Sequence, residues 1–89
     1  MALKALLTVD LEDDVTPDQM AKLNERLNLA KWMNISGLHS TWTASFEPIA
    51  SKNSALFITK TDLTRAAKAA GILTYKAAVQ FGEVDPEVF

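Results

Sequence analysis

The sequence predicts an α+β fold in which an antiparallel four-stranded sheet carries two helices on one face. Two observations lead to this prediction. The first is the order of the patterns: a strand-like run, a capped amphipathic helix, two further strand-like runs, an alanine-rich helix and an alternating run. The second is the length of 89 residues, which suits one domain. We therefore expect a single domain over residues 1–83 and a short acidic tail over residues 84–89.

The first strand is predicted over residues 3–11, which read LKALLTVDL. A nearly continuous apolar run with some alternation is typical of a central strand that is covered on one side. The residues expected to face the core are Leu3, Ala5, Leu7, Val9 and Leu11. The residues expected on the opposite face are Lys4, Leu6, Thr8 and Asp10.

The first helix is predicted over residues 17–30. Thr16 at the N-cap, Pro17 at the first helical position and Gln19 three residues after the cap form a capping-box pattern. Apolar residues then recur at helical spacing, at Met20, Leu23, Leu27 and Ala30. A turn is expected over residues 34–37.

Two strands are predicted next. Residues 38–47 (LHSTWTASFE) alternate between an apolar face and a hydroxyl face, and Pro48 ends the run. The apolar face consists of Leu38, Ser40, Trp42, Ala44 and Phe46. After a loop, residues 55–59 (ALFIT) are rich in β-forming side chains. We expect them to pair with the preceding strand as a hairpin.

The second helix is predicted to begin at Thr61 or its neighbour and to end at Gly71. Its buried stripe is expected to be Leu63, Ala66, Ala67 and Ala70. The last strand is predicted over residues 72–81. Its core-facing residues are expected to be Leu73, Tyr75, Ala77, Val79 and Phe81.

These elements follow the order β-α-β-β-α-β, which is the ferredoxin-like plan. In that plan the strand order is 4-1-3-2, the helices cover one face of the sheet, and the other face is open. The open face is predicted to be polar but weakly charged. A small domain gains stability when a second subunit covers such a face. We therefore expect a homodimer, formed through the open face or through the C-terminal tail.

Composition excludes several classes of site. The chain has no cysteine, which excludes disulfides, cysteine-bound zinc and thiol catalysis. The net charge of −2 lowers the expectation of strong nucleic-acid binding, which needs clustered Lys and Arg. No apolar stretch approaches the roughly 20 residues that span a bilayer. We expect a cytoplasmic protein that does not bind a membrane.

Asp10 is the main candidate for chemistry. A carboxylate at the end of a strand can hold a divalent metal such as Mg²⁺, which activates water or polarises a phosphate. The acidic residues 12–14 follow directly, but a solvated loop that leads into a helix is the favoured explanation for them. The candidate binding residues, all expected on the open face, are Thr8, His39, Thr41, Phe57 and Lys76.

The first strand ends near Asp10, Trp32 follows the helix, and residues 38–42 read LHSTW. In these strings the chain resembles the small ferredoxin-like proteins related to the CRISPR-associated ribonuclease-like subunit of the spacer-acquisition complex and to toxin–antitoxin ribonucleases. The resemblance implies a dimer in which Asp10 of each subunit faces its mate and can share a divalent metal. It also implies that the tail pairs with the other subunit's sheet. The chain departs from the family pattern at Val9, where an aromatic residue is usual, and in its acidic segment after the first strand.

Two functions remain open at this point. The first is a nucleic-acid-linked or accessory role, which includes metal-dependent nuclease activity at Asp10. The alternative is a non-enzymatic protein-interaction module, such as a regulatory or inhibitory partner of a larger machine. The acidic charge balance and the small number of catalytic candidates favour the second function.

Overall fold

The structure is a computed structural model that describes residues 3–38, 40–46 and 51–89. It has the predicted α+β class, with a four-stranded antiparallel sheet and two helices. In chain order the elements are β1 (Leu3–Leu11), α1 (Pro17–Leu29), β2 (Met33–Asn34), β3 (Thr41–Phe46), α2 (Lys52–Ala70) and β4 (Tyr75–Gly82). None of the helices in the described ranges is sufficiently long and apolar to span a bilayer.

The strand order of the sheet is β2-β3-β1-β4. Strand β1 is central: it pairs with β4 from Lys4 opposite Gly82 to Leu11 opposite Tyr75. On its other side it pairs with β3, and the short strand β2 pairs with the far side of β3.

Both helices pack on the same face of the sheet, because their apolar residues and those of β1 belong to one core. Two tryptophans are the largest buried side chains, and each finds a partner for its indole N–H on a different helix. Trp42 donates from Nε1 to Asn24 Oδ1 on α1 at 2.9 Å. Trp32 donates from Nε1 to Asp62 Oδ2 on α2 at 3.0 Å. The buried core comprises Ala5, Leu7, Val9, Leu23, Leu27, Trp32, Trp42, Leu63, Ala66, Ala67, Ala70 and Ile72.

Helix α1 confirms the capping-box prediction. The backbone N–H of Gln19 donates to Thr16 Oγ1 at 3.1 Å, and the Thr16 N–H donates to Gln19 Oε1 at 2.9 Å. The same glutamine side chain also donates from Nε2 to the Gly71 carbonyl oxygen at 3.2 Å, which ties the start of α1 to the end of α2. The helix ends at Leu29, one residue before the predicted end.

Helix α2 corrects the prediction of a strand over residues 55–59. It starts nine residues before the predicted cap at Thr61, because Ser51 caps it by accepting the Ser54 N–H at 3.0 Å. Ala55, Thr59 and Leu63 are spaced by four and are all buried, so this segment continues the apolar stripe of the helix. The buried Thr59 hydroxyl donates to the Ala55 carbonyl oxygen at 2.8 Å and is thereby satisfied inside the helix.

The prediction of the strand order is also wrong, because it placed the wrong segment next to β1. Strand β3 occupies that position, where the prediction put residues 55–59. The hairpin partner of β3 is Met33–Asn34, at the edge of the predicted turn. Strand β3 corresponds to the strand predicted over residues 38–47, but it begins only at Thr41.

The last strand begins at Tyr75, three residues later than predicted. Gly71 ends α2 as predicted, with a left-handed φ of 74°. The following residue, Ile72, is buried, and its N–H donates to the Ala67 carbonyl oxygen at 2.9 Å. Leu73 is 93% exposed and Ala77 is exposed, so both predictions of core positions are wrong. Of the predicted core-facing set, Tyr75, Val79 and Phe81 pack against the core.

Candidate functional site

The candidate site is the open face, by which we mean the surface of the sheet opposite the helices. Residues directly opposite one another in an antiparallel pair share a face, so the register defines this surface. Strand β1 contributes Lys4, Leu6, Thr8 and Asp10. Strand β3 contributes Thr41, Thr43 and Ser45, and strand β4 contributes Lys76, Ala78, Gln80 and Gly82.

Apolar and polar side chains alternate along one row of this face. The register places Met33, Thr43, Leu6 and Gln80 in one row across all four strands, which we call the central row. Met33 is 67% exposed, and Leu6 is half-buried. Leu6 therefore lies at the centre of the open face between the Thr43 hydroxyl and the Gln80 amide, and Met33 lies beyond Thr43 on the edge strand β2.

The row next to the central row is made of small and hydroxyl-bearing residues. Thr41 lies opposite Thr8, and Thr8 lies opposite Ala78 on its other side. The two threonines, which were both predicted to lie on the open face, are thus neighbours on it. Neither hydroxyl is charged, so this row can give and accept hydrogen bonds at a low cost of desolvation.

At one end of the open face, Lys4 anchors the chain that follows β4. Its Nζ donates to Ser45 Oγ at 3.0 Å and lies 3.7 Å from Asp85 Oδ1. The tail is thereby drawn over the sheet and leaves a groove of about 200 Å³. The groove is lined by residues that include Leu6, Gln80, Val84 and Pro86.

At the other end, Asp10 lies opposite Lys76 in the β1–β4 register, and both residues are exposed. They line a cleft of about 400 Å³ together with Glu12, Asp13 and Thr74. Over residues 3–38, 40–46 and 51–89, no three His, Cys, Asp or Glu side chains are grouped so that they could hold a metal ion.

The structure does not bring all predicted site residues to this face. Phe57 lies on helix α2 and is 71% exposed, so its predicted place on the open face is wrong. His39 lies outside the described residues. Met33 lies between the predicted helix and the predicted turn, and the sequence pattern did not identify it as a site residue. Only its pairing with Thr43 places it on the open face.

A further cleft of about 240 Å³ separates the β1–α1 loop from the α2–β4 loop. The hydrogen bond from Gln19 Nε2 to the Gly71 carbonyl oxygen crosses it. Its lining includes Glu12, Asp14 and Thr74, all of which are exposed. This cleft is thus a polar surface groove beside a structural contact between the helices.

Comparisons of the chain with protein-family models, with curated proteins and with solved structures give no match. The functional proposal therefore depends on the residues and the geometry of the open face.

Proposed function

We propose that this protein is a non-enzymatic interaction module that binds a protein partner on the open face of its sheet. The observation that carries the proposal is the central row, in which Leu6 lies between Thr43 and Gln80 and Met33 presents further apolar surface beyond Thr43. An apolar centre surrounded by polar groups is typical of protein-binding patches.

The charges on the open face support this proposal by their position. They lie at its two ends, where Lys4 is near Asp85 and Asp10 is opposite Lys76. A partner can therefore cover the centre of the face without removing an isolated charge from water, which would be costly. The threonine hydroxyls of the adjacent row can then form hydrogen bonds that fix the orientation of the partner.

We also propose that the fold is ferredoxin-like. Support comes from the β-α-β-β-α-β order of the elements and from the single core that both helices share with the sheet. This plan provides a reason for the open face, since both helices are used to cover the other one. The fold is compatible with many activities, so the argument for function comes from the face itself.

The experiment compares two exposed apolar residues of similar exposure. Met33→Asp places a charge in the central row, whereas Phe57→Asp places the same charge on the outer surface of α2. The tagged wild-type chain is used to isolate a stoichiometric protein partner, and binding of that purified partner is then titrated. We expect Met33→Asp to weaken binding by about tenfold or more, which corresponds to about 1.4 kcal/mol, and Phe57→Asp to leave it unchanged. Equal affinities for the two variants, or no stoichiometric partner, would refute the proposal.

A second candidate function is metal-dependent nuclease activity at Asp10. One observation favours it: Asp10 is exposed at the end of the open face, beside a lysine that can contact a phosphate. In the dimer implied by the family resemblance, Asp10 of each subunit would face the other and share a Mg²⁺ ion. Such a dimer would form through the open face or through the C-terminal tail.

The nuclease proposal is tested with Asp10→Ala and with the isosteric Asp10→Asn, using RNA and DNA substrates in the presence of Mg²⁺. Because both changes remove a carboxylate ligand, we expect both to abolish cleavage. Circular dichroism checks that the fold is retained. A wild-type chain that cleaves neither substrate, or variants that cleave as well as the wild type, would refute this function. Nucleic acid that copurifies with the wild type would favour it over the interaction module.

A further inference from the structure

Strand β4 forms a long edge of the sheet. In the described part of the chain it pairs with β1 on one side, and nothing pairs with its other side. Its eight residues, YKAAVQFG, include no proline and a single charge, at Lys76. Proline and charged residues are the usual means by which an edge strand is protected from pairing with another strand. The β4 edge is therefore a template for a further strand.

The hydrogen bonds of the sheet show which backbone groups of β4 point outward. The Val9 N–H donates to the Ser40 carbonyl oxygen at 3.0 Å, so the backbone groups of Val9 point toward β3. Because this direction alternates along a strand, Thr8 points toward β4, where it lies opposite Ala78. The N–H and C=O of Ala78 therefore point toward β1, and those of its neighbour Ala77 point toward the free edge.

We propose that a second copy of this chain pairs with this edge, β4 against β4, antiparallel and with Ala78 on the two-fold axis. With a two-fold axis normal to the sheet, the helix-covered faces of the two copies lie on the same side of the joined sheet. Core-facing residues of one copy must therefore lie opposite core-facing residues of the other. Centring on Ala78 meets this condition. The resulting pairs are Tyr75 with Phe81, Lys76 with Gln80, Ala77 with Val79, and Ala78 with its own copy.

The side chains favour this register over the alternative centred on Val79. Centring on Ala78 places two half-buried aromatic residues, Tyr75 and Phe81, opposite each other on the core side, and such cross-strand pairs are stabilising. The small Ala78 side chains meet at the axis, where the opposing Cα atoms of a non-hydrogen-bonded pair are only about 4.5 Å apart. Centring on Val79 would place Tyr75 opposite the charged Glu83 instead.

An exposed apolar residue at the start of β4 provides a second argument. Leu73 precedes the strand and is 93% exposed. Antiparallel pairing brings Leu73 of one copy to the end of β4 in the second copy. Its side chain would then lose contact with water, which favours association. The ion pair between Lys4 and Asp85 draws the tail over the open face and so away from the free edge.

This dimer does not depend on the proposed function of the open face. In it, two sheets join into one continuous sheet, and both open faces stay uncovered on the same side. A partner bound at the central row and a second copy bound at the β4 edge can therefore be present together.

The first test is Ala77→Pro. Proline removes the N–H that points to the free edge, and it is tolerated at an edge strand when that N–H faces solvent. Ala77→Val is the matched control, since it keeps the N–H at the same exposed position. Mass is measured by light scattering over a series of concentrations, and circular dichroism checks the fold. We expect dimers for the wild type and for Ala77→Val, and a monomer for Ala77→Pro.

The second test addresses the register and does not depend on proline. In Ala78→Lys and in Ala78→Glu, like charges would meet across the axis, so we expect each variant alone to be monomeric. Mixed together, the two variants should form a heterodimer that native mass spectrometry detects.

Three results would overturn the inference. They are a monomeric wild type at every concentration, dimers of Ala77→Pro as stable as the wild type, and failure of the mixed Ala78 variants to associate. A dimer that Met33→Asp dissociates while Ala77→Pro leaves it intact would place the interface on the open face instead.

Discussion

The two edges of the sheet are built in opposite ways. The edge at β2 has only two residues, and the Asn34 side chain supports the hairpin that follows it by donating from Nδ2 to the carbonyl oxygens of Leu38 at 3.1 Å and Thr41 at 2.9 Å. The edge at β4 has eight residues, and alternate backbone groups point away from β1. A very short edge strand resists pairing, whereas a long regular edge favours it.

The residues that flank β2 are also more deeply buried than the core-facing residues of β4. Strand β2 is flanked by Trp32 and Ile35, both of which are buried. The core-facing residues of β4, which are Tyr75, Val79 and Phe81, are only half-buried. The β2 edge is thus fixed by packing within one chain, while the β4 edge leaves apolar surface that a second chain can cover. The following predictions test this difference.

The largest effect is expected from Trp32→Ala. The Trp32 ring is fully buried, contacts Phe46 edge to face with centroids 6.1 Å apart, and donates a hydrogen bond to Asp62. Its loss should lower the free energy of unfolding by about 3–5 kcal/mol, measured by urea denaturation. Leu29→Ala is the control, because Leu29 is 69% exposed and its loss should cost less than about 0.5 kcal/mol. Similar losses in the two variants would show that Trp32 does not anchor this edge.

Amide hydrogen exchange should reveal the alternation along β4. In the dilute chain, the amides of Ala78 and Gln80, which point toward β1, should exchange at least about tenfold more slowly than those of Ala77 and Val79, a difference of about 1.4 kcal/mol. At high concentration the second pair should gain protection as the dimer forms. Uniform exchange along the strand at low concentration would contradict the assigned backbone directions.

A smaller effect is expected from Asn34→Ala, which removes the side-chain donor that supports the β2–β3 hairpin. The two carbonyl oxygens keep other donors, since Leu38 accepts from the Thr41 N–H and Thr41 accepts from the Ile35 N–H. We therefore expect a loss of only about 1 kcal/mol in the free energy of unfolding. Asn53→Ala, at an exposed position in the first turn of α2, is the control and should cost less. An equal cost at both asparagines would show that Asn34 has no special role at the edge.

The smallest effect is expected from Asp85→Ala. Its carboxylate is mostly exposed at 3.7 Å from Lys4 Nζ, and such surface pairs contribute about 0.5 kcal/mol or less. Thermal unfolding should barely change relative to Glu87→Ala, an exposed acidic control in the same tail. Dimer formation should survive both substitutions. If Asp85→Ala alone abolished the dimer, the tail would have to be part of the interface.

The regions that were predicted correctly are those with strong local signals. The alternation of β1 placed Ala5, Leu7 and Val9 in the core, and all three are buried. The capping box of α1 and the left-handed Gly71 at the end of α2 also lie where the sequence placed them. Each of these features depends on hydrogen bonds or side-chain periodicity within a few residues, so neighbouring residues alone encode them.

The candidate site was predicted only in part. The sequence put Thr8, Asp10, Thr41 and Lys76 on the open face, and the register confirms that they share it. The position of Met33 on the open face was not predicted, and that of Phe57 was predicted wrongly, because both positions depend on which segments form strands. A signal for the longer α2 was present: Ser51 can cap a helix, and Ala55, Thr59 and Leu63 recur every four residues.

The sequence by itself determined the fold class, the central strand, the start of α1 and the end of α2, because local hydrogen bonds and periodicity specify them. Only the tertiary structure decided between helix and strand for residues 55–59 and chose the neighbour of β1. The β-forming side chains of residues 55–59 favour a strand, but burial of Ala55 and Thr59 within α2 extends the core stripe of the helix. With that segment helical, β3 lies beside β1, and Met33 is brought onto the open face. Which residues meet across a sheet depends on packing between distant segments, which local preference does not encode.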